Sequence, residues 1–309
     1  MKTHPLLYLT LLLGFSVSAQ HSAHVKSAPP RLLPGMGSVN HPVSTTNAMA
    51  QKFFNQGLAL VYGFNHEEAA KSFLEAARLD KKLGIAYWGY ALAIGFNYNE
   101  PVIDPDRMRK AVEALETAAR LAANGSPEER ALIEALSKRF TTDSSANLKD
   151  LQVAYSKAMA EVARNFPDDP DAAVLYADSL MNINPWQLWT LDGKPAEGTE
   201  IIVATLENTL KRFPRHIGAN HLYIHAVEAS REPGKAKTSA ARLPGLAPSA
   251  GHLVHMPGHI YLRTGDYEKS AMTNVAAANV DRRYLKAAGD MATYSAMYFN
   301  HNLDFQVVS

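Results

Sequence analysis

One spacing of histidines constrains the fold of this chain more than any other sequence feature. The pair His221 and His225 recurs as His255 and His259, and 255 − 221 and 259 − 225 both give 34 residues. This interval is typical of repeat proteins in which each repeat is one pair of helices. Residues four apart share a helix face, so both pairs are expected to face one point from neighbouring repeats. Four imidazoles that face one point indicate a metal site.

The composition favours a folded, all-α protein. The chain has 309 residues, of which 47% are hydrophobic and 20% are charged, so it can bury a substantial core. From Ala48 onward it is rich in Ala, Leu, Glu and Lys, with apolar residues three and four apart and no alternating strand pattern. We therefore predict one helical repeat domain over residues 47–309.

Charge and cysteine content exclude several classes of protein. With 31 basic and 30 acidic residues and no basic run, the chain has no electrostatic footprint for nucleic acid. No segment after the N-terminal region approaches the length of apolar sequence that a membrane span needs, about 18 residues or more. Because there is no cysteine, the chain forms no disulfide, and a metal must bind nitrogen and oxygen ligands.

The N-terminal region reads as an export signal followed by an extended leader. Residues 1–19 begin with Lys2, continue with an apolar run and end in the small residues before Gln20, as in a cleavable secretory signal. We therefore expect a periplasmic or secreted protein. Residues 20–46 are rich in Pro, Ser, Gly and His and predict an extended leader. His41 in this leader is expected to be solvated; the alternative is that it folds over the groove of the repeats.

The other end of the chain lacks a feature that solenoids usually have. No polar capping helix is evident before Ser309. We therefore expect either that the chain is cut short there or that its last apolar face meets a partner.

Two insertions interrupt the predicted helices. Residues 97–107 contain two prolines, and residues 182–198 contain Pro185, Trp186 and Trp189. Around them, helices are predicted over residues 108–123, 127–139, 146–165, 171–181 and 199–212. The two tryptophans are candidates for the wall or lid of a pocket; packing of the insertion against the helices is the alternative.

Glu228 extends the first histidine pair. It follows His225 by three residues and lies on the same side of the helix, where three roles are open. It can be a further metal ligand, a carboxylate that orients a histidine, or a general base acting on a metal-bound water. Tyr223 and Tyr261 are candidate groove residues that could contact a ligand, or else fill space between helices.

The second histidine cluster is denser but less regular. His252 joins His255 and His259, while Pro257 is incompatible with a regular helix through all three, so a new helix is expected to begin near Met256. His301 could complete the site from a following helix. The alternative for each histidine is a polar groove residue or a hydrogen-bonded core residue. Neutral imidazole suits Zn, Cu or Fe, and the sequence does not choose among them.

Several segments resemble those of a widespread group of exported bacterial tetratricopeptide-repeat (TPR) proteins. The resemblance covers nearly all of the chain after residue 19, and it rests on Phe54-Asn55-Gln56-Gly57-Leu58, Asn184-Pro185-Trp186, His221-Leu222-Tyr223-Ile224-His225 and His255-Met256-Pro257-Gly258-His259. It implies a TPR-like right-handed α-solenoid of helix pairs, with loop insertions, whose first helices line a concave groove. In most TPR proteins that groove binds a peptide or protein partner.

Three functions remain open at this point. The first is a solenoid that binds a peptide, protein or small ligand in its groove and carries a His-lined transition-metal site. The second is a metal-dependent enzyme, hydrolytic with Glu228 as base or oxidative with Cu or Fe. The third is a metal carrier. The sequence favours binding over catalysis, because it contains no phosphate loop, zincin helix or nucleophile elbow.

Overall fold

The computed structural model of the protein describes residues 30–288 and 294–309. These residues are mostly helical and form no strand, only isolated bridges between Asn97 and Glu100 and between Trp189 and Pro195. The prediction of an all-α protein is therefore confirmed. The predicted signal, residues 1–19, and the first part of the leader lie outside the described residues. No helix within the described ranges is both long enough and apolar enough to cross a membrane.

The helices follow one another with connections of varied length, and a π-helical turn at Ser295–Phe299 leads into the last one. Their bounds are α1 Ala48–Tyr62, α2 His66–Leu79, α3 Gly84–Ile94, α4 Pro105–Leu121, α5 Pro127–Ser137, α6 Leu148–Asn165, α7 Pro170–Met181, α8 Thr199–Arg212, α9 Ile217–Val227, α10 Lys237–Leu246, α11 Gly251–His255, α12 Pro257–Arg263, α13 Tyr267–Ala288 and α14 Asn300–Val308.

Both predicted insertions lie between helices. The first ends where α4 begins at Pro105, earlier than predicted, because Asp104 caps the helix and proline fits its first turn. The second ends at Gly198, whose φ of 85° favours glycine, and α8 then covers the predicted residues 199–212. The helix interruption predicted at Pro257 is confirmed, since α11 ends at His255 and α12 begins at Pro257.

Successive helices pack against each other and bury an aromatic core. Helix α1 packs on α2, α2 on α3, and α3 on α4. Between the first three, the buried ring of Phe54 lies 5.3 Å from that of Phe73 and 6.5 Å from that of Trp88. Each such side chain contributes on the order of 2 kcal/mol by leaving water.

Helices from the second half of the chain contact the first two helices. Helix α1 contacts α9, and Tyr62, the last residue of α1, donates a hydrogen bond from its hydroxyl to Asp171 of α7 at 2.6 Å. Asn65, which caps α2, donates to the hydroxyl of Tyr284 on α13 at 2.8 Å. These contacts make the region between α1, α9 and α11 an interior.

The leader residues from 30 to 46 pack on this body. The amide of Ser249 donates to the carbonyl of Gly35 at 2.8 Å, and His41 is buried with its Nδ1 3.0 Å from Asp171 Oδ2. The expectation of a solvated His41 is therefore wrong. No local sequence pattern indicated that a carboxylate on α7 would compensate the burial of this imidazole.

Candidate metal centre

The six histidines predicted as metal ligands lie together in the interior. Five are buried and the sixth, His301, is partly buried. Helix α9 carries the first two, α11 the next two, α12 the fifth and α14 the sixth, in the order His221, His225, His252, His255, His259 and His301. The structure thus brings together residues that are up to 80 positions apart (301 − 221 = 80).

The six side chains form two groups. The first trio is His221, His225 and His252, and the second trio is His255, His259 and His301. Within each trio, one ring nitrogen per residue lies within 4.8 Å of the others. The structure therefore divides the two repeated pairs between two trios, where the sequence suggested that all four rings face one point.

Hydrogen bonds from outside the first trio fix the ring protons. Nδ1 of His221 lies 2.6 Å from the carbonyl oxygen of Tyr62, and Nδ1 of His225 lies 2.8 Å from Oε1 of Glu228. Because both oxygens accept, each neutral ring carries its proton on Nδ1 and a lone pair on Nε2. Nε2 of His225 is buried and has no hydrogen-bond partner.

The second trio is oriented in the same way. Nδ1 of His255 lies 2.5 Å from Oδ1 of Asn274, whose amide group donates to the carbonyl of Ser270 and so turns the oxygen toward the histidine. Nδ1 of His259 lies 2.5 Å from Oε2 of Glu228. Both neutral rings therefore present bare Nε2 atoms.

These two bare nitrogens face each other. Nε2 of His255 lies 2.8 Å from Nε2 of His259, although both ring protons are engaged at Nδ1. Two lone pairs at this distance repel unless a cation lies between them. The arrangement therefore requires either an additional proton or a metal ion at this point.

Glu228 links the two trios, since each of its oxygens accepts from one of them. Burial alone would raise the pKa of its carboxyl group, but His259 and His225 hold that pKa well below its usual range. The carboxylate is therefore ionised. With both oxygens engaged by ring N–H groups, the geometry favours the orienting role among the three roles that the sequence left open.

Burial keeps the imidazoles neutral. It lowers the pKa of His221, His225, His252 and His255, and nearby imidazoles lower it further. The pKa of His301 falls to about 4 for the same reasons. Neutral imidazole is the form that binds a metal ion, so these five rings need not lose a proton at neutral pH.

Two strained aromatic residues contact the first trio. Phe64 has φ 57° and its ring centre lies 4.5 Å from that of His221, while Trp186 has φ 61° and lies 5.5 Å from His225. Within the described ranges they are the non-glycine residues with positive φ. Such a conformation costs on the order of 1 kcal/mol or more and is concentrated at functional sites.

A cavity of about 230 Å³ adjoins both trios. It is lined by Asn99, Trp186, His225, His252, Met297, Tyr298 and His301. Trp186, which is 53% exposed, stands at its rim, so the predicted pocket role of this residue agrees with its position. The volume suits a small molecule rather than a folded partner.

The other three predicted pocket residues lie elsewhere. Trp189 donates from Nε1 to the carbonyl of Ala226 at 2.7 Å and so anchors the second insertion to α9. The hydroxyl of Tyr223 donates to Glu207 of α8 at 2.7 Å. The ring of Tyr261 faces the ammonium group of Lys269 at 5.8 Å. These contacts correspond to the packing alternative.

A third polar cluster was not predicted. Asp171 accepts from Tyr62 and lies 3.0 Å from Nδ1 of His41 and 2.9 Å from Nε2 of His216. Burial opposes ionisation of Asp171, yet the two histidines keep its pKa below the usual range. Oxygens of Asp169 and Asp171 lie close enough to His41 to hold an ion, but the described bonds already pair these groups with each other.

Comparison of the chain with models of known protein families and with curated protein sequences finds no match. The candidate site is therefore assessed from its own geometry.

Proposed function

We propose that this protein binds transition metal through the six clustered histidines and uses the metal on a small molecule that enters the adjoining cavity. One observation carries the proposal: the bare Nε2 atoms of His255 and His259 lie 2.8 Å apart and require a cation between them. A metal ion meets this requirement better than a proton, because His301 and the first trio surround the same region with further neutral rings.

The cavity favours a reactive centre over a purely structural one. A structural metal site is closed by protein ligands, whereas a catalytic or carrier site leaves a coordination position open. Here the cavity reaches His225 and His252 of the first trio and His301 of the second. A bound molecule could therefore take the open position on a metal held by either trio.

The fold and location belong to the same proposal. We infer a TPR-like right-handed solenoid, which the packing of successive helices supports, and export to the periplasm or outside the cell, which residues 1–19 predict. Binding of a peptide or protein partner, and release of the metal as by a carrier, stay predictions of the sequence.

Elemental analysis of the untagged protein tests the proposal. The parent protein should retain copper or zinc after desalting, and His225→Ala should retain substantially less with unchanged helical content by circular dichroism, because one neutral ligand is removed. His216→Asn is the matched control: it replaces a partly buried histidine outside both trios with another good helix cap and should retain the metal. Equal metal content in His225→Ala and parent would overturn the proposal.

The same samples test access to the metal. Azide added to the copper(II)-loaded protein should change its visible absorption, since a small anion can fill an open position beside the cavity. An unchanged spectrum at saturating azide would show a site closed by protein ligands and would contradict the proposed action on a small molecule.

A further inference from the structure

We infer that the centre holds two metal ions side by side, one in each histidine trio, and that copper is the metal best suited to it. The inference rests on the proposed function, since it specifies how many ions that site takes and which. It follows from the separation of the trios, from the charge of the site and from the carboxylate shared between them.

A single ion cannot use all six rings. Nitrogens bound to one ion through bonds of about 2.1 Å lie at most about 4.2 Å apart. The six ring nitrogens form two groups, not one, even at a span of 4.8 Å. Each trio by itself offers three neutral nitrogens, which is the number of protein ligands typical of a metal site with an open position.

The two positions are nevertheless adjacent. The ring centres of His225 and His259, from different trios, lie 5.6 Å apart, and those of His252 and His255 lie 5.8 Å apart. Because the rings of the two trios are in contact, ions held by them would be neighbours, as in known two-metal sites, whose ions lie about 3.5–4 Å apart. Glu228 accepts from both His225 and His259 and so fixes the trios relative to each other.

Charge favours copper in its reduced form. Imidazole binds a metal ion in its neutral form, and Glu228 is the carboxylate that accepts from these rings. Two divalent ions would leave a net charge of +3 in a buried site, whereas two Cu(I) ions would leave +1. Because uncompensated buried charge is costly, monovalent ions suit the site better. Imidazole is also a ligand that copper accepts readily.

Copper stoichiometry tests the inference. The parent protein, loaded anaerobically with copper(I) and desalted, should retain about two ions per chain. His252→Ala removes a ligand of the first trio only, and His301→Ala removes one of the second, so each variant should retain about one ion. The double variant should retain almost none. His301 is partly exposed, so its replacement is expected to leave the fold intact by circular dichroism.

Electron paramagnetic resonance provides the second readout. After oxidation to copper(II), the parent should show much less signal than its copper content, because neighbouring ions couple, whereas each single variant should show its full content. One ion in the saturated parent, or a full uncoupled signal from two, would overturn the inference of an adjacent pair. No copper in the parent would overturn the assignment of copper, whereas retention of neither copper nor zinc would contradict the proposed function itself.

Discussion

At the scale of single residues, the placement of ring protons decides what this site can do. Four imidazoles donate from Nδ1 to an acceptor outside the trios: the carbonyl of Tyr62, the amide oxygen of Asn274, or the carboxylate of Glu228. Each contact leaves the Nε2 lone pair directed into the cluster. The ability of the histidines to bind a metal ion therefore depends on residues that would not themselves contact the ion.

Replacement of Glu228 by glutamine should weaken metal binding by about 10- to 100-fold. The amide has one acceptor oxygen, so it can orient the ring of His225 or that of His259, but not both, and it removes the negative charge. Competition with a chelator measures the affinity, and circular dichroism checks the fold. Unchanged affinity in Glu228→Gln would show that the carboxylate does not orient the ligands.

At the scale of elements, the sequence predicted where individual helices begin and end better than it predicted how they pack together. The break before Pro257, the two insertions and the span of α8 follow from local proline, glycine and capping signals. The two trios do not, because their membership depends on how α9, α11, α12 and α14 cross. No sequence pattern indicated that Asn274 belongs to the site, because it lies on α13 and contacts His255 only through the packing of the helices.

The close contact between α11 and α13 gives a prediction about stability. A Cβ added at Gly251 would overlap the buried carboxyl group of Asp281, which accepts from Tyr294 and Asn302. Gly251→Ala must therefore displace this bonded side chain or the helices themselves, and it should cost about 1–3 kcal/mol in urea unfolding. It should also weaken metal binding, since α11 carries His252 and His255.

Gly245→Ala is the matched control for this prediction. Gly245 lies in α10, where an added Cβ meets nothing within 4 Å, so the change should stabilise the helix by about 0.5–1 kcal/mol. If Gly251→Ala were as stable as this control, the close approach of α11 to α13 would be wrong.

At the scale of the whole molecule, the leader belongs to the folded body. His41 is inserted beside α7, and Asp171 joins it to Tyr62 at the end of α1 and to His216, which caps α9. Tyr62 in turn holds His221 through its carbonyl group. The leader is thus connected to the first trio through two residues, which no local sequence pattern would reveal.

The ion pair of the leader predicts a pH dependence of stability. Burial opposes protonation of His41, but Asp171, Asp169 and Glu128 raise its pKa from 6.5 to about 9. A raised folded-state pKa means that the stabilisation is complete below pH 6.5 and is lost as pH rises through about 9. The loss should be on the order of 3 kcal/mol in the free energy of unfolding.

Urea unfolding at several pH values between 6.5 and 9 measures this loss. His41→Asn should reduce the dependence over that interval, because asparagine does not titrate; what remains is expected from Glu128, whose pKa is raised to about 7 by burial and by Asp169. A parent and a variant whose stabilities fall in parallel would show that another group is responsible.

The single carboxylate shared between the trios has a consequence for occupancy. An ion on His225 would draw electron density from the ring and strengthen its donation to Glu228, which would alter the acceptor available to His259. Filling one position would then change the affinity of the other, and linkage makes that influence mutual. The saturation isotherm of the protein should accordingly depart from that of two independent sites.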